Sequence, residues 1–211
     1  IRENIQMGKY PPGSKMRTAD LAKELGVSRT PVIAAINRLI VEGLVEPIPN
    51  RGTFVKRFTT KHIFDVLKVR YMIEVYCAPS AAANANKHPE IVSQMESMLT
   101  SFEEIDDNDY LEASRLESVF HNLFVSLGEN DQLVKLFQLN WSVGMVYYLY
   151  SSTRMPMSKQ RDSLLEHRQI IDLLKEGKAN QLTKLVEKHM SSSIKMLEYE
   201  LEHGHIEAFL R

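Results

Sequence analysis

Four residues far apart in this chain have the types and spacing to hold a divalent metal. Glu117 and His121 stand four apart, so on a helix they share a face, with Cβ atoms about 5–6 Å from each other. His167 and His189 fall in two later segments of helical periodicity. One carboxylate and three imidazoles delivered by three helices to a bundle interior suit a divalent transition metal. Zinc, nickel and manganese all take such donors, and ligand type alone does not choose among them. The spacing also allows a plainer reading, because a chain with 7 His often yields such a set by chance: hydrogen-bonded histidines in an ordinary bundle.

A second set of residues has the chemistry of nucleic-acid recognition. Leu21, Ala22 and Leu25 mark one face of a short amphipathic helix, and Val32, Ala35, Ile36, Leu39 and Ile40 mark another. Between them lies Gly26-Val27-Ser28, giving helix, three-residue turn and helix, the layout of a helix-turn-helix. Ser28 suits the N-cap of the second helix, and Pro31 sits early enough in it to be harmless. Arg29 projects from its first turn, where a bidentate contact to guanine is worth about 1–3 kcal/mol of discrimination. Ser28 and Thr30 are expected on phosphate. Arg38, nearly three turns along, fits a phosphate contact or an internal ion pair better than base reading.

The charge distribution agrees with this placement. Residues 1–58 carry ten Lys and Arg against five Asp and Glu, while the remainder carries sixteen against twenty-two. A basic head on an acidic body assigns phosphate contacts to the head. The single cysteine, Cys77, excludes an intrachain disulfide and suits a reducing cytoplasm; its Ala-rich surroundings read as buried packing. No signal-peptide pattern is visible, and the longest near-apolar run, Trp141 to Tyr150, is too short to span a bilayer.

These residues require positioning elements, and the periodicity supplies them. The chain opens in mid-pattern, with Ile1 and Ile5 four apart, on a helix that ends near Met7-Gly8 and is expected to start before Ile1. Thr18 is expected to cap the second helix, and Gly43 to stop the recognition helix running from Arg29 to Glu42. Leu44-Val45-Glu46 and Thr53-Phe54-Val55 read as a β-hairpin around a Pro47–Gly52 loop, a wing whose Arg51 and Gly52 reach DNA. Helices are then expected over 60–86 (bent at Pro79), 89–105, 109–127, 131–153, 158–176 and 179–203. The fold class is mostly α: an N-terminal winged helix-turn-helix over 1–58 and a C-terminal all-helical bundle over 59–211. The Asp106–Asp109 cluster reads as a capping loop, lacking the glycine and glutamate of a calcium loop.

Together these pieces resemble the GntR family of bacterial transcription regulators. In the head the resemblance rests on Gly8-Lys9-Tyr10-Pro11-Pro12-Gly13, on Leu21 to Val32, on Arg38-Leu39, on Glu42-Gly43-Leu44-Val45 and on Arg51 to Val55. The body resembles the FCD effector domain of the FadR subgroup through Arg70 with Glu74, Ala81-Ala82, Glu117 to His121, Gly128-Glu129-Asn130, Glu166-His167-Arg168 and His189. The resemblance implies a homodimer on a two-fold-symmetric operator, retuned when a small carboxylate metabolite binds the body. It also implies a metal, zinc ahead of nickel or manganese, on Glu117, His121, His167 and His189. The carboxylate usual in the family is Asp, one methylene shorter than Glu117.

Beside that metal an effector pocket is expected, with Arg70, Asn140, Tyr147 and Arg154 as lining residues. Arg70 either clamps an anionic group or pairs with Glu74, four residues on. His203 and His205 read as a solvated tail. One departure concerns the head: where the family carries Arg-Glu-Ala-Leu, with the Arg on DNA, this chain has Ile33, Ala34, Ala35 and Ile36. Two other functions fit the same residues, a metalloenzyme and a regulator whose body only dimerises. Against the enzyme, Glu166 projects about 100° from His167 around their shared helix, leaving no evident general base.

Overall fold

The computed structural model describes residues 1–106, 109–152 and 157–202, and only the backbone at 110, 142–152, 157–162, 197, 200 and 201. The head contains α1 (Arg2–Gln6), α2 (Thr18–Leu25), α3 (Arg29–Val41), β1 (Val45–Ile48) and β2 (Gly52–Val55). The body contains α4 (Thr60–Asn84), α5 (Pro89–Glu104), α6 (Tyr110–Ser126), α7 (Asp131–Ser152), α8 (Met157–Lys175) and α9 (Ala179–Glu202). A short 3-10 turn, Ala85–Lys87, joins α4 to α5.

Each half has its own apolar core. In the head, Ile5, Leu21, Val32, Ile36, Leu39, Leu44 and Val55 are buried together. In the body, α4 lies centrally, against α6, α7 and α9. Its inward face is lined with small residues, Cys77, Ala78, Ala81 and Ala82, that let neighbouring helices approach. Phe120, Phe124 and Phe137 fill the space beyond. α4 starts at a reciprocal cap, in which Thr59 Oγ1 accepts from the His62 amide while the Thr59 amide donates to His62 Nδ1. Asp109 accepts from the Glu112 amide at 3.0 Å, so the acidic cluster does cap α6.

Three local expectations change. Thr18 is the first residue of α2 rather than its cap; Arg17 takes the N-cap position without a side-chain bond. Leu25 is 41 % exposed, so α2 buries only Leu21 and Ala22. The hairpin loop is tighter than Pro47–Gly52, because β1 runs through Pro47 to Ile48 and pairs Ile48 with Gly52. Pro47 is tolerated because β1 is an edge strand. Asn50, at φ 59, makes the turn.

Candidate metal centre and DNA-reading surface

The α6 helix projects Glu117 and His121 inward, one turn apart, and α8 and α9 bring His167 and His189 to the same point. The three imidazoles each offer a nitrogen within 4.8 Å of the others, and all three rings are buried. Glu117 stands beside them, its oxygens 3.3 Å from His121 Nε2 and 3.6 Å from His167 Nδ1. Phe120, on the same helix, stacks on the His167 ring with centroids 4.3 Å apart. Three of the four sequence-derived ligand candidates, His121, His167 and His189, therefore converge, and Glu117 stands beside two of them without completing the group.

Two further carboxylates orient the rings. Glu74, on α4, accepts from His121 Nδ1 at 2.7 Å, and Glu166, on α8, accepts from His189 Nδ1 at 2.8 Å. Protons held on those Nδ1 atoms leave each Nε2 facing inward with a lone pair in the neutral ring, as for metal-bound histidine. Neither orienting role was foreseen. Glu166 projects away from His167, but towards α9. Glu74 left a signal in the sequence: an acid on the helix face that also carries Leu67, Ile73, Cys77 and Ala78 must find a buried partner.

Electrostatics favour ionised acids beside a neutral His167 and a His121 that holds its proton more tightly than an ordinary imidazole. Burial pushes the Glu74 carboxyl up, but Arg70 and His121 more than offset it and leave it at about 2. Burial likewise raises Glu117, and the neighbouring His167 and His121 more than reverse this. The hydrogen bond from His189, against some desolvation, leads in lowering Glu166 to about 2. Burial, against the opposing pull of the Glu117 carboxylate, holds His167 well below an ordinary imidazole, in its neutral form.

The hydrogen bonding fits a cation among these donors. His121 Nε2 is buried and makes no hydrogen bond. His167 Nε2 and His189 Nε2 lie 3.3 Å apart. If His167 donates from Nε2 to His189, its Nδ1 lone pair faces the Glu117 carboxylate. If it donates from Nδ1 towards Glu117, two lone pairs oppose each other. A shared cation resolves the second arrangement, since two nitrogens bound at about 2.0–2.1 Å to a tetrahedral ion lie about 3.3 Å apart.

Of the two readings of Arg70, 3 % exposed, the structure shows the ion pair: its Nε donates to Glu74 Oε1 at 2.5 Å. The guanidinium also lies 4.3 Å from the Trp141 ring centroid, and its Nη2 makes no hydrogen bond. Asn140 donates from Nδ2 to the Val66 carbonyl at 2.9 Å, tying α7 to α4. Tyr147 belongs to α7, where only its backbone is described; Arg154, His203 and His205 lie outside the described residues.

In the head, Ser28 is the N-cap of α3 by position but makes no side-chain cap bond, which leaves its hydroxyl open. Arg29, Thr30 and Ile33 are exposed on the first turns of α3, with Ile33 at 47 %. Arg51 and Gly52 are exposed at the wing turn. Arg38 ion-pairs with Glu42 at 3.1 Å, and Glu42 is also gripped by Arg2. These residues border a cleft of about 640 Å³ between head and body.

Known families match both parts of the chain. Residues 1–55 match the family of bacterial regulatory proteins called gntR, and residues 65–192 match the FCD domain. A protein of Paenarthrobacter nicotinovorans named "Probable D-xylose utilization operon transcriptional repressor" is 30 % identical over 174 residues, covering 82 % of this chain and 74 % of that protein. The Uxu operon regulator of Haemophilus influenzae is 26 % identical over 233 residues, covering 100 % and 84 %. The solved structure of E. coli McbR/YncC shares the fold at a TM-score of 0.79 and 19 % identity, over 95 % of this chain and 94 % of that one. Among the described residues no helix is long and apolar enough to cross a membrane.

Proposed function

The chain belongs to the GntR family of transcription regulators, with an FCD domain as its body, and on that premise we propose a metal-dependent, ligand-responsive DNA-binding protein. Its relatives are regulators, not enzymes. The observation that carries the finer reading is the convergence of His121, His167 and His189, two of them oriented by buried or half-buried carboxylates.

Glu117, His121, His167 and His189 would hold the ion. Bound there, a divalent cation supplies positive charge that attracts a ligand carboxylate. The chain's own residues do the rest. Glu74 and Glu166 fix the ring orientations, Phe120 keeps the His167 ring in place, and Arg70 offers its unpartnered Nη2 as a second anion contact. A small hydroxy or sugar acid is the ligand class that matches a cation and a guanidinium together.

The operator is read by a homodimer through Ser28, Arg29, Thr30, Arg51 and Gly52 of each head, with Arg38 contributing at the backbone. Ligand binding shifts the relative orientation of the two heads, so that half-site spacing no longer fits. Swinging the population from almost all bound to almost all free requires a preference of about 5.5 kcal/mol.

Elemental analysis of natively purified protein, beside His167→Ala and His189→Ala variants, tests this reading. About one ion per chain, lost in the variants, is expected. Metal-free wild type after reconstitution overturns the metal site. DNA-binding titrations with and without hydroxy acids then test the response.

A further inference from the structure

The wing is not a two-stranded element in its surroundings. The segment before α2 runs antiparallel along the free side of β2: Gly13 donates to the Val55 carbonyl at 2.8 Å, Val55 to Ser14 at 2.9 Å and Met16 to Thr53 at 2.8 Å. Lys15 thereby pairs with Phe54, whose other cross-strand neighbour is Glu46. β2 becomes the centre of a three-strand patch, and Lys15 lies on it beside the wing turn.

Three observations single out that lysine. Its side chain runs over Gly52, where an added Cβ would come within 3.0 Å of Lys15 Cε, so the glycine makes room for it. Its ammonium lies 5.7 Å from the Phe54 ring centroid, and the Arg51 guanidinium lies 6.0 Å from the same ring. Among the described residues no carboxylate pairs with either cation, although Glu46 flanks the same ring. Two unneutralised charges held by one aromatic ring at a β-turn tip form a compact cationic surface.

We propose that Lys15 is a phosphate-binding residue of the wing, acting with Arg51 across Phe54 to grip the DNA backbone. This rests on the DNA-binding reading above and adds to it a residue from outside both the recognition helix and the hairpin. The chemistry recognised is the phosphodiester, not a base, because an ammonium is a point charge without the planar fork that reads guanine. The Lys15 contribution is therefore independent of operator sequence and strongly dependent on salt.

The test uses the full chain and mixed-sequence duplex DNA, with affinity measured by fluorescence anisotropy across a salt series. Lys15→Met keeps the aliphatic stem over Gly52 and Phe54 while removing the charge. It is expected to weaken binding several-fold at low salt and to lower the slope of log K against log salt by about 0.9, one phosphate's worth. Lys15→Arg is expected to restore both, and Lys87→Met, on the body, to change neither. An unchanged slope in Lys15→Met, with wild type binding normally, overturns the Lys15 assignment alone. A fall in melting temperature without a change in slope does the same, since it makes the lysine a prop for the wing. Wild type without salt-dependent binding overturns the DNA-binding reading itself.

Discussion

Glu74 bridges Arg70 and His121: one carboxylate oxygen accepts from the guanidinium at 2.5 Å and the other from the imidazole Nδ1 at 2.7 Å. All three side chains are buried, so this carboxylate neutralises the arginine and sets the proton position on a ring facing the candidate metal centre. The arrangement joins the proposed anion contact and the candidate metal centre through one side chain.

Replacing that carboxylate tests its importance. Glu74→Gln leaves Arg70 buried without a counter-charge, and breaking a buried pair costs about 3–5 kcal/mol. Loss of the ring's orienting acid lowers metal affinity by about 10- to 100-fold. Denaturant unfolding and chelator-competition titrations measure the two effects separately. Full metal affinity in the variant would show that His121 needs no orienting acid.

The pH dependence of metal uptake has a definite sign. Burial and Arg70 push His121 down, but Glu74 and Glu117 outweigh them, so the ring is protonated at a pH above the usual imidazole range. An incoming ion must displace that proton. Uptake is therefore expected to release protons and to weaken as pH falls through the raised His121 value. His167, already neutral, adds little to the dependence. Calorimetry in two buffers of different ionisation enthalpy checks this, and uptake without proton release would contradict it.

On α3, Arg29→Ala is expected to lose about 1–3 kcal/mol of discrimination between a selected operator and a single-base variant at the contacted position. An equal loss on every sequence would move Arg29 from base reading to phosphate.

The exposed Ile33 offers the reverse experiment. Ile33→Arg places a charge on the surface where this chain has an apolar side chain. It is expected to raise the salt slope of DNA binding by about 0.9, as one added phosphate contact. An unchanged slope would show that this turn of α3 does not face the backbone.

Gly128 tests the packing that holds α4 against α6. An added Cβ would lie 3.0 Å from the Val125 carbonyl oxygen and 3.1 Å from Cys77 Sγ. Gly128→Ala is expected to cost about 1–3 kcal/mol through overpacking, read from the unfolding midpoint. Wild-type stability would mean that the α4–α6 contact has slack.

The order of helices, the wing and the apolar faces were legible because they depend on local periods of 3.6 and 2 and on turn residues that act over a few positions. The convergence of His121, His167 and His189, with Glu117 beside two of them, was legible through family resemblance, since spacing alone also allowed a chance set. The acids that orient the rings were decided only by the tertiary structure. Glu74 reaches His121 across 47 positions and Glu166 reaches His189 across 23. A face argument along α8 correctly separates Glu166 from His167, yet it contains no information about which helix lies opposite. Lys15 illustrates the same limit, because nothing local announces that the stretch before α2 will pair with β2. The sequence by itself determined which elements form and which faces they bury. Packing decided which polar groups meet across them, because burial leaves each such group only the partners that neighbouring elements bring within hydrogen-bond distance.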